Sequence, residues 1–197
     1  MIPPTIHFVW VGGKTMPCEY AQNIVGWTRL HPRWNIRVWD DDNRPVLRNE
    51  YEFKMARNPA QASDVLRYEL MLRYGGIYLD CDVEPVQSLR PLRRYEAFAV
   101  DQGEDILCTA VLGSEPGHPA FEAVVAALPA AFASGLTNLD QAGPTFQTPI
   151  LRAHGVTVLP QETFYPYLWD EEPRPATPET FGIHRWAKSW VPAEWNT

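Results

Sequence analysis

The sequence is short of cysteine, of long apolar runs and of positive charge, and each shortage excludes something. Its 197 residues contain only Cys18, Cys81 and Cys108. Three widely spaced cysteines leave one unpaired in any scheme and match no zinc spacing, so reduced thiols in a cytoplasmic protein are expected. No apolar run approaches the roughly 20 residues of a membrane span, so none is expected. The opening MIPPTIHFVWVGG lacks the basic, apolar and cleavage regions of a signal peptide and reads as an early strand. A formal charge of −7 disfavours unaided nucleic-acid binding. An anionic ligand would need a cation to be held here. Internal repeats and low-complexity tracts are also missing.

What is present suits one globular domain over residues 1–197, with an ordinary 45% of hydrophobic residues. TIHFVWV (5–11) is apolar and rich in β-formers, as in a buried parallel strand, and Gly12–Gly13 mark a turn. A helix is expected over 19–30, and WNIRVWD (34–40) alternates as a second strand. AQASDVLRYELMLRY (60–74) is the clearest helix, with Pro59 before it and Gly75–Gly76 as its stop. Its apolar residues occupy more than one face, so it should be buried, whereas Glu69 and Arg73 look like a surface pair. Further strands are read at 77–80, 97–100, 106–113 and 156–160, with a helix over 118–134 that Pro129 should kink or split. GPTFQTPILRAHG reads as a loop with a short helix. From Phe164 the chain is rich in Pro and aromatics without periodicity, which suggests a segment laid across the surface. Alternating strands and helices give an α/β fold with a mainly parallel sheet flanked by helices and an irregular C-terminal segment.

The run RYGGIYLDCDVEP (73–85) carries the chemistry. If the chain stays extended past the strand, Asp80 and Asp82 share one face with Cys81 turned away. That face lies at the carboxyl edge of the sheet, where open α/β sheets bind ligands. Two adjacent carboxylates repel and lose solvation, and a divalent cation, Mn²⁺ or Mg²⁺, relieves both. A bare D-x-D more often sits on a solvated turn, but here a buried helix, Gly-Gly and a buried strand precede it. A calcium loop fits poorly, because the required glycine and distal glutamate are missing. A phosphohydrolase of the haloacid dehalogenase type would use Asp80 as nucleophile. Its pattern wants Thr or Val where Glu84 stands and a lysine where none lies between Lys54 and Lys188, and only Asp101 and Asp105 could supply its acid pair.

The run ASDVLRYELMLRYGGIYLDCDVE resembles the sugar-binding region of DXD-containing glycosyltransferases of family 32, and more distantly the large clostridial glucosylating toxins. IHFVWVGG and WNIRVWDDD upstream, and SEPGHP, AGP and IHRWAKSW downstream, extend the resemblance in order over nearly the whole chain. The resemblance implies a GT-A fold and metal-dependent, retaining transfer from a nucleotide diphosphate sugar, with a uridine donor preferred. The acceptor it implies is a glycan, a lipid-linked glycan or another hydroxyl. A sugar-nucleotide-binding protein without catalysis is the third reading, after the transferase and the phosphohydrolase.

The resemblance also assigns residues. Asp80 and Asp82 hold the metal, and Trp10 stacks on the donor base, although strand position alone fits a core Trp. Asp64 and Arg67, one helical turn apart, touch the donor sugar and phosphate or form an internal ion pair. Ser63 touches the nucleotide or starts the helix; Tyr78 reaches the donor phosphate or packs internally. His184 is a third metal ligand, and Ser189 and Trp190 donate to phosphate oxygens. Residues 163–197 are then a tail or a lid over the donor. His7, His31, His118 and His154 are read as ordinary surface or core residues.

Overall fold

The computed structural model describes residues 1–187, without the side chains of 138 and 139. In chain order it forms β1 (Thr5–Val9), α1 (Cys18–Leu30), β2 (Asn35–Trp39), α2 (Glu50–Met55), α3 (Pro59–Tyr74), β3 (Gly76–Leu79) and β4 (Val83–Pro85). Then follow β5 (Ala97–Asp101), β6 (Leu107–Ser114), α4 (Pro119–Ala133), α5 (Asn138–Gln141), α6 (Pro144–Ala153), β7 (Thr157–Leu159) and β8 (Gly182–His184). Short 3-10 turns cover Arg90–Arg94 and Gln161–Thr163.

Six strands make one sheet in the order β2-β1-β3-β6-β5-β7. β6 runs antiparallel to both of its neighbours, and the other pairings are parallel. The mainly parallel α/β sheet expected from the sequence is therefore present with one reversed strand. All eight residues of β6 are buried, as expected for a central strand covered on both faces. Its register against β5 breaks between Ala99 and Val100, where a bulge leaves Thr109, Ala110 and Val111 unmatched by that neighbour.

One face of the sheet is covered by α3, α4 and α6, with Val65, Leu66, Tyr68, Leu70, Phe121, Val124 and Leu151 in the core. The other face packs Ile6, Phe8, Trp27, Ile77, Leu79, Phe164 and Tyr165. α3 is buried as its sequence suggests. Asn58 caps it by accepting from the Gln61 N–H, and Pro59 is its first residue rather than its predecessor. Gly75 ends it at φ 59°, where a Cβ would lie 2.6 Å from the Ser114 carbonyl oxygen.

Several expectations are corrected. Glu69 and Arg73 are not a surface pair: buried Glu69 accepts from the Asn49 N–H at 2.7 Å and the Asn49 Nδ2 at 3.1 Å. That contact ties the start of α2, a helix not anticipated, to the middle of α3. Pro129, which is exposed, does not split α4, whose span continues through it to Ala133. The loop with a short helix after Gly143 is a ten-residue helix, α6. The segment after Phe164 is laid against the domain as expected, with Phe164, Tyr165 and Tyr167 buried. Its strand β8, paired antiparallel to β4, was not legible. His7 and His31 are core residues: His7 Nε2 bonds the Gly75 carbonyl and accepts from Trp39 Nε1 through Nδ1, and His31 Nε2 accepts from the Leu89 N–H.

Candidate active site at the carboxyl edge of the sheet

β3 delivers Asp80 to the carboxyl edge, and the Asp80 N–H still joins the ladder through the Ala110 carbonyl. The chain does not stay extended beyond it. The Val83 N–H bonds the Asp80 carbonyl at 3.1 Å, closing a turn, so strand alternation is not what brings the two aspartates together. The turn does so, with help from the far end of the chain. β8 pairs Val83 with His184, and His184 Nε2 comes to 3.2 Å from Asp82 Oδ1. The Ala187 N–H donates to the other Asp82 oxygen at 2.9 Å. Cys81 turns inward, as expected, toward the Val9 carbonyl.

Asp80, Asp82 and His184 each offer one ligand atom, and these atoms lie within 4.8 Å of one another. Among the described residues this is the cluster of His, Cys, Asp or Glu side chains placed to hold a metal ion. Two carboxylates and an imidazole suit Mn²⁺, which accepts nitrogen more readily than Mg²⁺ does. One further observation fits: His184 Nδ1 is buried without a partner, while Nε2 faces the Asp82 carboxylate. Burial works against charge on Asp82 and on His184, but each outweighs it for the other. The Asp82 pKa is lowered and that of His184 is raised. His184 is clamped between Trp186, 4.2 Å away, and Tyr165, 5.6 Å away. Trp186 holds a left-handed backbone (φ 53°), a strain of the kind found at functional sites. Neither Tyr165 nor Trp186 was anticipated.

Behind the cluster, α3 inserts Asp64 and Arg67. Arg67 is 4% exposed, lies 3.2 Å from Asp64 and 3.3 Å from Asp80, and covers the Tyr78 ring at 4.5 Å. Its Nη1 donates to the Thr109 carbonyl at 2.7 Å, inside the β6 bulge. Burial opposes the Arg67 charge, but Asp80, Tyr78 and Asp64 more than restore it, and its pKa rises. Asp64 is pushed up to about 7, mainly by burial, with Arg67 pulling down and Asp80 pushing up. Tyr78 donates to Asp80 Oδ1 at 2.6 Å. It is therefore packed and orients the aspartate, and Arg67 and Asp64 do form an internal ion pair.

Trp10 is half-buried just past β1, donates from Nε1 to the Lys14 carbonyl at 2.6 Å and meets Tyr20 edge-on. Its loop is pinned by Asp41, whose Oδ2 accepts from the Gly12 and Gly13 N–H groups at 2.9 and 3.1 Å. Gly12 has φ 94° and lies so near Pro59 that a Cβ would be 2.6 Å from its Cγ. The acidic run after β2 held that signal. Ser63 is half-buried on α3 and lends its carbonyl to Arg67 Nε. Ser189 and Trp190 lie outside the described residues. Asp101 accepts from the Gly103 N–H and the exposed Asp105 faces Arg152, so neither joins Asp80 as a phosphohydrolase acid pair.

The fold and this cluster together define an α/β protein of GT-A type. Residues 17–99 match the family described as "Glycosyltransferase sugar-binding region containing DXD motif". Inositol phosphoceramide mannosyltransferase 3 of Schizosaccharomyces pombe is 29% identical over 85% of this chain and 49% of that protein. Mannosyl phosphorylinositol ceramide synthase CSH1 of Saccharomyces cerevisiae is 28% identical over 65% of this chain and 35% of that protein. The chain thus spans at most about half the length of these two curated relatives. The solved PaToxG glycosyltransferase shares the fold with a TM-score of 0.63 at 16% identity, covering 78% of this chain and 70% of that one. The UDP-bound glycosyltransferase domain of the YGT toxin gives 0.57 at 10%, covering 81% and 79%.

Proposed function

We propose that the chain is a metal-dependent glycosyltransferase that moves a sugar, with retention, from a nucleotide diphosphate sugar to a hydroxyl acceptor. One observation carries the proposal: Asp80, Asp82 and His184 converge at the carboxyl edge, backed by the buried Asp64–Arg67 pair. The three residues would hold Mn²⁺, which when bound supplies Lewis acidity to a departing pyrophosphate. Arg67, fixed by Thr109, contributes a buried positive charge that needs no reorganisation during reaction. Asp64, titrating close to neutrality, is suited to exchange hydrogen bonds with sugar hydroxyls. Trp10 stacks on the base, an interaction worth about 1–3 kcal/mol. Ser189 and Trp190 donate to the phosphates, and the tail containing them acts as a lid that limits hydrolysis.

The UDP held by the YGT toxin domain supports a uridine donor, while the names of the curated relatives support mannosyl transfer to a glycolipid. Among the described residues no helix is long and apolar enough to cross a membrane. The test is a panel of UDP-glucose, UDP-galactose, UDP-N-acetylglucosamine and GDP-mannose with Mn²⁺, following release of the nucleoside diphosphate. Slow donor hydrolysis abolished by Asp82→Ala supports the proposal. Turnover of a generic phosphomonoester, or thermal stabilisation by nucleotide without any turnover, refutes it.

A further inference from the structure

Charge is distributed unevenly along the strand direction. β1, β2 and β5 run the same way, so their leading loops share the edge opposite the candidate site. Those loops carry Arg33, just before β2, and Arg90, Arg93 and Arg94, just before β5. They are in contact: the Arg93 guanidinium covers the Trp34 ring at 5.7 Å and donates to the Ile2 carbonyl at 2.8 Å, and His31 bonds the Leu89 N–H. Arg94 donates to the Tyr95 hydroxyl. A hollow of about 500 Å³ is lined by Met1, Arg90, Pro91, Arg93 and Arg94. Among the described residues none of these four arginines is in an ion pair. Glu96 and Glu115 stand at the same edge, and Glu115 is engaged by the amino terminus. The opposite edge is acidic, with Asp40, Asp41 and Asp42 after β2 and Asp101, Glu104 and Asp105 after β5.

We propose that the arginine-lined edge formed by Arg33, Arg90, Arg93 and Arg94 docks the protein on an anionic lipid bilayer. A chain of net charge −7 that gathers unpaired guanidinium groups at one end is an electrical dipole, and a negative surface both attracts and orients it. The separation of charge also explains how so acidic a protein approaches such a surface. Docked this way, the carboxyl edge with Asp80, Asp82 and His184 faces away from the bilayer, which suits an acceptor outside that bilayer rather than a glycolipid within it. The inference does not depend on the proposed transferase activity.

The experiment is co-sedimentation of the whole chain with phosphatidylcholine vesicles, with and without one-third phosphatidylserine, at low and high salt. Binding is expected only to the anionic vesicles and only at low salt. Each basic side chain near an anionic surface is worth about a fivefold change in partitioning, so the triple variant Arg33→Gln, Arg90→Gln, Arg94→Gln should lose roughly a hundredfold. Arg93 is kept because it anchors Ile2. The variant should keep the wild-type circular dichroism spectrum and melting temperature. A well-folded variant that binds as tightly as wild type overturns the proposal. Equal binding to neutral vesicles, or capture by an acidic polypeptide matrix without vesicle binding, also overturns it.

Discussion

Replacing Asp64 by Asn should make the protein more stable and less active, and the two effects should separate by pH. The Asp64 carboxyl is raised to about 7 by burial beside Asp80. Between about pH 4 and 7 the native state therefore keeps a proton that the unfolded chain has released. Wild-type stability falls as pH rises through that window, because the buried group is forced to ionise. A shift from 3.8 to about 7 corresponds to a ceiling of about 4 kcal/mol above pH 7. Half of that is a fair discount, since the Asp64 side chain keeps 14% of its exposure and the ionised form is partly relieved by solvent. Urea titrations in chelator should thus show Asp64→Asn level with wild type near pH 4.5 and about 2 kcal/mol more stable at pH 8. Donor hydrolysis should drop at both pH values. A stability difference that stays constant from pH 4.5 to 8 would refute the reasoning, because desolvation of an ionising group would then not be its cause.

Two further expectations concern the scaffold. His7 is lowered to about 4 by burial, with its Nδ1 accepting from Trp39, so protonation would set two donors against each other. Its folded pKa lies below the ordinary 6.5, so its contribution is full above pH 6.5 and about 3 kcal/mol is lost as pH falls toward 4; NMR titration should find this imidazole neutral at pH 5. At Gly113 a Cβ would come 2.1 Å from the buried Phe98 ring, so Gly113→Ala should cost about 1–3 kcal/mol or more in chemical denaturation.

The sequence made some of this legible and concealed the rest for physical reasons. β1 and α3 stand out because a run of β-formers and a helix bounded by Pro59 and Gly75 report burial directly. The direction of β6 was hidden, since eight consecutive buried residues look the same in either orientation. Glu69 misled because Arg73 sits at helical spacing, whereas its partner, Asn49, lies beside a separate short helix. Asp80, Asp82 and His184 do lie together, but strand alternation is not the reason. The two aspartates converge through a turn and through β8, a three-residue strand that exists only because β4 pairs with it. The clamp of Tyr165 and Trp186 on His184 depends on that same long-range pairing, which no local period announces.

Calorimetry of UDP and GDP binding, run with Mn²⁺ and with chelator on wild type and Asp82→Asn, tests the central claim most directly. A nucleoside diphosphate should bind tightly only to wild type and only with the cation present. Equal affinity in chelator, or undiminished binding by Asp82→Asn, would mean that the carboxyl-edge cluster does not hold a pyrophosphate-gripping ion.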